Sequence, residues 1–347
     1  MSSIASISTV LPEHSYTLPE IQAAGDIWLK DHPEQRGLFR RFLASAQVAR
    51  RHFVLPVLDV ISLNGLAKPA EYFEEFAPGL GAMAALEALR QAGVQAQDIG
   101  CLLFTSCTCP SIPSVDALIL ERARLPRTTT RIPIYQHGCA GGVVGLRLAD
   151  MWSKHGKPVL LTSVELCSLV FQPEDFTGGH LVGSAIFGDG AASAVVTHED
   201  RGLVFAGSQS YLLPDSRHLM GYDILDDGSH LRLDRDLPQS LARAAPGLVE
   251  TFLRSHGLSR KDIPWWLFHP GGIKILSALD EIFQLEPEQG RFARETLQSV
   301  GNLSSASILF VLDTFLRSNV YQDGEHALVV GVGPGLTIEL ILFKYLA

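Results

Sequence analysis

Ile132-Pro133-Ile134-Tyr135-Gln136-His137-Gly138-Cys139-Ala140-Gly141-Gly142 reads as a short strand running into a glycine-rich turn that carries one thiol. The apolar run from Val143 to Trp152 behind it has helical character, so the sulfur sits where a strand hands over to a helix. Strands alternating with helices build layered α/β domains whose central strands are covered on both faces. Reading outward, residues 79 to 93 form a helix that stops at Gly93. Short buried runs recur at Ile99 to Thr105, Val159 to Ser163, Ala191 to Thr197, Trp265 to Phe268, Ala327 to Val332 and Leu336 to Phe343. Both halves share a plan: a strand near a reactive residue, a glycine turn (Phe187-Gly188-Asp189-Gly190, then Gly331-Val332-Gly333-Pro334-Gly335), and an apolar strand that closes the half. A boundary between His198 and Gly202 gives halves of residues 1–200 and 201–347, although no repeat shows residue by residue.

Composition narrows the function. The chain has 347 residues, 46% hydrophobic and 19% charged, which suits a large core and leaves no disordered block. A net charge of -9 argues against a nucleic-acid binder and favours a small-molecule substrate. The densest basic stretch, Arg36, Arg40, Arg41, Arg50 and Arg51, is either a solvated helix face or a contact for a small polyphosphate. Five cysteines, Cys101, Cys107, Cys109, Cys139 and Cys167, are odd in number and lack secreted-domain spacing, so reduced thiols in a cytosol are expected. No stretch is apolar for the ~20 residues that span a bilayer, and no signal segment is recognised, so a cytoplasmic protein without a membrane span is expected.

Three distant segments each place one reactive side chain beside small residues: Gln136 to Gly142, His269-Pro270-Gly271-Gly272, and Gly301-Asn302-Leu303-Ser304-Ser305. Cys139 at a helix start is placed to have its thiol pKa lowered, and its backbone N–H is a candidate oxyanion donor. The competing reading is a buried structural cysteine. His269 ends the apolar run Trp265-Trp266-Leu267-Phe268, at the mouth of a strand, and alone would pass for a hydrogen-bonded core histidine. Asn302 alone would pass for the cap of a helix over Ser304 to Leu316. Together the three supply a nucleophile, an imidazole and an amide donor, the parts of a cysteine acyl-transfer site.

These segments resemble the chalcone synthase-like type III polyketide synthases of the thiolase superfamily, over nearly the whole chain. Thr105-Ser106-Cys107, Phe171-Gln172-Pro173, Phe187-Gly188-Asp189-Gly190-Ala191-Ala192 and Gly333-Pro334-Gly335-Leu336-Thr337 carry the resemblance further. Related ketoacyl synthases normally show His-Gln-Ala-Asn where this chain has His269-Pro270-Gly271-Gly272, and they lack the Gly-Pro-Gly loop. The resemblance implies a thiolase-like αβαβα fold of two similar halves and a homodimer. It implies Cys139 as acyl carrier, His269 as its imidazolium partner and Asn302 as second donor during decarboxylation. Acyl-CoA and malonyl-CoA would be substrates, and no cofactor is called for. Two fixed N–H donors could stabilise the enolate left by malonyl decarboxylation, and that carbon would then attack the thioester on Cys139.

The same resemblance suggests the cavity walls. Phe187 matches one of two phenylalanines that separate the coenzyme A tunnel from the reaction cavity, and Leu231 stands where the second is expected. Cys167, Leu169, Tyr222 and Ser304 match cavity-shaping positions, while Gly333 and Pro334 match a backbone wall. Arg41 matches a cation near the tunnel mouth, with Leu38 and Ser45 where plant members carry lysines. Cys107 matches a cysteine of bacterial relatives that make tetrahydroxynaphthalene or phloroglucinol. The Cys-Ala-Gly-Gly and Phe-Gly-Asp-Gly-Ala-Ala forms favour a fatty acyl starter and an alkylpyrone or alkylresorcinol product. Cys107 and Tyr222 pull toward a malonyl-primed naphthalene or phloroglucinol type, the alternative reading. A single-condensation ketoacyl synthase is a further alternative, and a scaffold that only binds acyl thioesters is disfavoured by the presence of all three catalytic residue types.

Overall fold

The computed structural model describes residues 1–347 and contains thirteen strands. They are β1 (Ser3–Val10), β2 (His14–Thr17), β3 (Arg50–Phe53), β4 (Cys101–Ser106), β5 (Thr130–Tyr135), β6 (Val159–Leu166) and β7 (Asp189–Thr197) in the first half. The second half adds β8 (Gly202–Leu212), β9 (Met220–Leu225), β10 (Gly228–Leu233), β11 (Trp265–Phe268), β12 (His326–Gly333) and β13 (Thr337–Leu346). Nine of them form one sheet in the order β11-β12-β13-β8-β1-β7-β6-β4-β5, while β2/β3 and β9/β10 make two small antiparallel ribbons.

The duplication in plan shows in the hydrogen bonding. β4 and β6 run parallel and are followed by antiparallel β7 and β1. β11 and β12 run parallel and are followed by antiparallel β13 and β8. The two sets meet at a narrow seam, where only Ser3 with Val204 and Ile4 with Leu203 are paired across β1 and β8. β4, β6 and β7 are buried along their whole lengths, as covered central strands require. All the strands expected from apolar runs are present, with ends shifted by up to three residues.

Two central strands do not announce themselves. β1 reads Ser-Ile-Ala-Ser-Ile-Ser-Thr-Val, yet Ser3, Ser6 and Ser8 are buried. Its partner layer explains this: the helix Ala67–Ala92 packs an alanine face (Ala84, Ala85, Ala88) on β1 and β7, so the contact is close. Small hydroxyl residues fit there when their polar atom is satisfied, and Ser6 Oγ donates to the Ala88 carbonyl at 2.6 Å. That helix also begins a dozen residues before the expected start, because Pro78 lies inside it rather than at its end. Proline costs one backbone hydrogen bond but can be carried where packing on the sheet holds the helix.

Helices Gly141–Ser153 and Ser307–Ser318 follow the two reactive turns, and each touches strands of both halves. They approach each other closely. A methyl group on Gly142 would collide with the Ser305 carbonyl oxygen. The Cys139 turn and the Asn302 turn are therefore packed backbone to backbone, which fixes their separation. Gly142→Ala is expected to lower unfolding stability by about 1–3 kcal/mol, the usual cost of overpacking, as read by urea denaturation. A stability equal to that of the parent protein would show that the two turns can separate without cost.

Candidate active site

Cys139, His269 and Asn302 line one cavity of about 420 Å³. Cys139 sits on a 3-10 turn, Gly138–Ala140, between β5 and the helix Gly141–Ser153. Gly138 has φ +52, and a side chain there would lie 2.6 Å from Pro334 of the Gly-Pro-Gly loop. Only glycine accommodates both constraints. The Cys139 N–H lies on this turn beside its own sulfur, a position that suits an oxyanion donor.

His269 is set by β11, and its backbone N–H donates to the Val330 carbonyl at 3.0 Å. The residue is 4% exposed, and neither ring nitrogen has a hydrogen-bond partner. Asn302 is gripped by the segment before β7: its N–H donates to the Ile186 carbonyl at 2.8 Å, and its carbonyl accepts from the Gly188 N–H at 3.0 Å. Its side-chain Oδ1 accepts from the Ser304 N–H at 2.8 Å and the Ser307 hydroxyl at 3.3 Å. Nδ2 makes one long contact, 3.5 Å to the Gly271 carbonyl. The cap interaction thus orients the amide so that its donor end is the one left for a guest.

Burial dominates the electrostatics. It pushes the Cys139 thiol up to about 12, against the pull of a hydrogen bond from Ser304. It pushes the His269 imidazole down to about 4. The expected lowering of the thiol pKa is reversed, because desolvation outweighs any gain from the helix that starts two residues later. His269 is accordingly neutral at rest where the resemblance implies an imidazolium. A neutral imidazole can accept the thiol proton, and that transfer adds no net charge to the pocket.

The two residues expected to form a gate, Phe187 and Leu231, meet at Gly183. A methyl on Gly183 would lie 2.6 Å from Leu231 Cδ2 and 3.3 Å from Phe187 Cδ2. Tyr222 is the cross-strand partner of Leu231 in the β9/β10 ribbon. Phe187, Tyr222 and Leu231 line both the main cavity and a side chamber of about 60 Å³. Cys107, Ser304 and Pro334 line the main cavity, and Cys167 lines the side chamber. Leu169 does not reach either: on the 3-10 turn Cys167–Val170 it points into the core and is 1% exposed. Gly333 lies beneath the Cys139 turn against Ala140, a packing role rather than a wall.

The arginine stretch is dispersed by the fold. Arg40 forms a bidentate pair with Asp26, at 2.9 and 2.7 Å, and Arg50 donates to Ser15 at 2.7 Å. Arg51 is buried and donates to the Ser184 carbonyl at 2.5 Å and the Phe187 carbonyl at 3.3 Å. Arg41 is exposed and not on the cavity wall, whereas Phe42, Ser45 and Ala46 of the same helix are. Lys274 and Arg235 are the cations that line the cavity.

Sequence reasoning missed Glu165. It is fully buried in β6, with Oε2 accepting from the Cys107 N–H at 3.1 Å and Oε1 from the Ser305 N–H at 3.3 Å. Burial raises its pKa, and the hydrogen bonds from Ser305 and Cys107 oppose the rise. A lone carboxylate continuing an apolar strand run was the available signal.

Fold and site together define an acyltransferase of the thiolase-like class. Models of the chalcone and stilbene synthases match residues 32–200 for the N-terminal domain and 203–347 for the C-terminal domain, and the chain belongs to that family. It is similar to 1,3,6,8-tetrahydroxynaphthalene synthase of Streptomyces peucetius subsp. caesius, at 34% identity over 99% of this chain and 93% of the relative. It is 30% identical to phloroglucinol synthase of Pseudomonas fluorescens over 100% of both chains. The crystal structure of 1,3,6,8-tetrahydroxynaphthalene synthase from Streptomyces coelicolor A3(2) superposes with a TM-score of 0.94 at 31% identity, covering 99% of each chain. The protein is a bacterial type III polyketide synthase, hence an enzyme.

Two substitutions separate the cap from the donor. Asn302→Ala is expected to cost about 0.5–2 kcal/mol of stability through the lost cap. It should also slow carbon dioxide release from malonyl-CoA by about 10²–10³. Asn302→Asp keeps an acceptor for the Ser304 N–H, so melting should recover while carbon dioxide release stays slow. Normal release by both variants would refute the donor role.

Proposed function

We propose that the enzyme loads a starter from a coenzyme A thioester onto Cys139, extends it by decarboxylative condensation with malonyl-CoA, and cyclises the chain. His269 takes the Cys139 proton during loading, which its neutral state permits, and returns it to the departing coenzyme A thiolate. Decarboxylation leaves an enolate, whose oxygen is stabilised by the His269 ring N–H and Asn302 Nδ2. The carbanion attacks the thioester carbonyl, whose oxygen the Cys139 N–H is placed to stabilise. The chain then transfers to the incoming unit with the thiolate as leaving group. Lys274 and Arg235 on the cavity wall suit the phosphates of coenzyme A better than Arg41 does.

The observation that carries the product reading is the polar lining of the main cavity. The side chamber bounded by Phe187, Tyr222 and Leu231 is small, about 60 Å³, with room for a few waters. The main cavity wall presents the thiol of Cys107 and the hydroxyl of Ser304, 3.2 Å apart, together with Tyr222. A growing polyketide carries carbonyls that can use such groups, and a fatty acyl chain does not. The malonyl-primed reading, with a tetrahydroxynaphthalene- or phloroglucinol-type product, is the better supported, and the names of the relatives agree with it. The fatty-acyl starter reading keeps the sequence forms at Cys139 and Phe187 and adds the aliphatic Leu231 beside Phe187.

We further propose a cytoplasmic homodimer. All five cysteines are free, and no helix is long and apolar enough to cross a membrane. Ile112 is 98% exposed, and Met83, Leu86 and Leu118 are exposed on two helices that pack together, apolar surface of the kind a second subunit covers. Light scattering should give twice 37.7 kDa. Monomeric protein at micromolar concentration would contradict the dimer.

Malonyl-CoA alone should yield a multiply extended product by mass, and Cys139→Ala should abolish both product and the acyl adduct seen by intact mass. A diketide thioester as sole product would point to single condensation. An adduct that persists in Cys139→Ala would overturn the nucleophile.

A further inference from the structure

The gate carries a polar tie that the condensation chemistry does not use. His230 lies in β10, one residue before Leu231. Its Nδ1 is 3.0 Å from Asp175 Oδ2, and its Nε2 is 2.9 Å from Asp227 Oδ1. A ring with a carboxylate at each nitrogen satisfies both only when protonated, because the neutral form has a single N–H. Burial opposes the charge, yet the hydrogen bonds and charges of Asp227 and Asp175 outweigh it, so the pKa lies above the ordinary 6.5.

The tie spans the two sides of the gate. Asp175 Oδ1 accepts from the Thr177 N–H at 2.9 Å, and Thr177 Oγ1 caps the helix Gly178–Ile186 by accepting from the His180 N–H at 3.3 Å. That helix ends at Phe187, whereas His230 leads directly to Leu231 and, across the ribbon, to Tyr222. The other charged groups around the ring are accounted for. Asp223 faces it from β9 and is paired with Arg232, and Asp226 lies in the ribbon turn. His180, from the helix, is pushed down to about 4 by burial and is uncharged near neutrality.

We propose that His230, held between Asp175 and Asp227, is a positioning residue that sets the width of the Phe187–Leu231 gate and thereby the choice of starter acyl group. The proposal rests on the synthase reading above. The tie is complete while His230 is protonated and is lost as pH rises through its raised pKa. Asp175 keeps its charge throughout: burial opposes it, but hydrogen bonds from Thr177 and His230 hold its pKa below the ordinary value.

The test is a competition in one tube between acetyl-CoA and octanoyl-CoA as starters, with malonyl-CoA, read as the ratio of long-starter to short-starter products by mass. Effects of pH on the shared condensation chemistry cancel in that ratio. For the parent enzyme the ratio should rise at least about threefold between pH of about 6 and about 9 as the gate loosens. His230→Gln should give a flat profile at the high-pH value. Asp227→Asn removes only the exposed partner, which is 56% accessible, and should move the transition to lower pH. Melting temperatures report folding, and Asp227→Asn carries the test if His230→Gln does not fold. A pH-independent ratio in the parent enzyme, or a His230→Gln profile that tracks it, overturns the tie. Absence of any condensation product from the parent enzyme instead overturns the synthase reading on which the tie depends.

Discussion

The cavity keeps its shape because one buried carboxylate must satisfy its oxygens. Glu165 has no water to turn to, and an unpaired charge in that position would be costly. Its partners are the Cys107 N–H, the Ser305 N–H and the Ser305 hydroxyl, which belong to the loop after β4 and to the turn before the helix Ser307–Ser318. Ser163, two residues earlier on β6, adds a 2.9 Å bond to the same Ser305 hydroxyl. Ser305 lies three residues after Asn302, so the strand that carries Glu165 also places the amide donor. The Cys139 turn is placed in turn, because Gly142 packs on the Ser305 carbonyl.

Enclosure is what gives these positions chemical value. A donor aimed at a developing oxyanion is worth more where water does not compete. The same burial raises the thiol and lowers the imidazole, so both are uncharged in the resting site. For Asn302 the ordinary reading and the functional one coincide. Capping the Ser304 N–H uses up Oδ1, and that commitment is what leaves Nδ2 without a strong partner.

The reactive turns were legible because their constraints are local. A thiol between Gly138 and Gly141, or an imidazole at the end of an apolar run, announces a tight turn at a strand end, and β5 and β11 deliver these two segments accordingly. β1 was not legible, because its serines are buried against an alanine helix and no apolar alternation marks it. Glu165 showed only as a carboxylate continuing an apolar run, because the partners that explain it are distant in sequence. The β9/β10 ribbon did carry a signal, the Asp227-Gly228 pair at its turn. Resemblance supplied positions but not directions, which is why Leu169 faces the core and Arg41 stands off the cavity wall although both were expected at the site.

Chemistry and product control rest on parts of unequal rigidity. The triad stands on ends of strands in a nine-stranded sheet and on two helices wedged against each other. Tyr222 and Leu231 stand on a ribbon of two strands that pairs with nothing else. Such a ribbon is marginal without side-chain support, so its position is decided by few interactions and can be changed by few substitutions. A fold divided in this way can hold a decarboxylating centre constant while the space available to the growing chain varies. Residues on the ribbon and the groups that brace it are therefore where differences in product should arise, rather than at Cys139, His269 or Asn302.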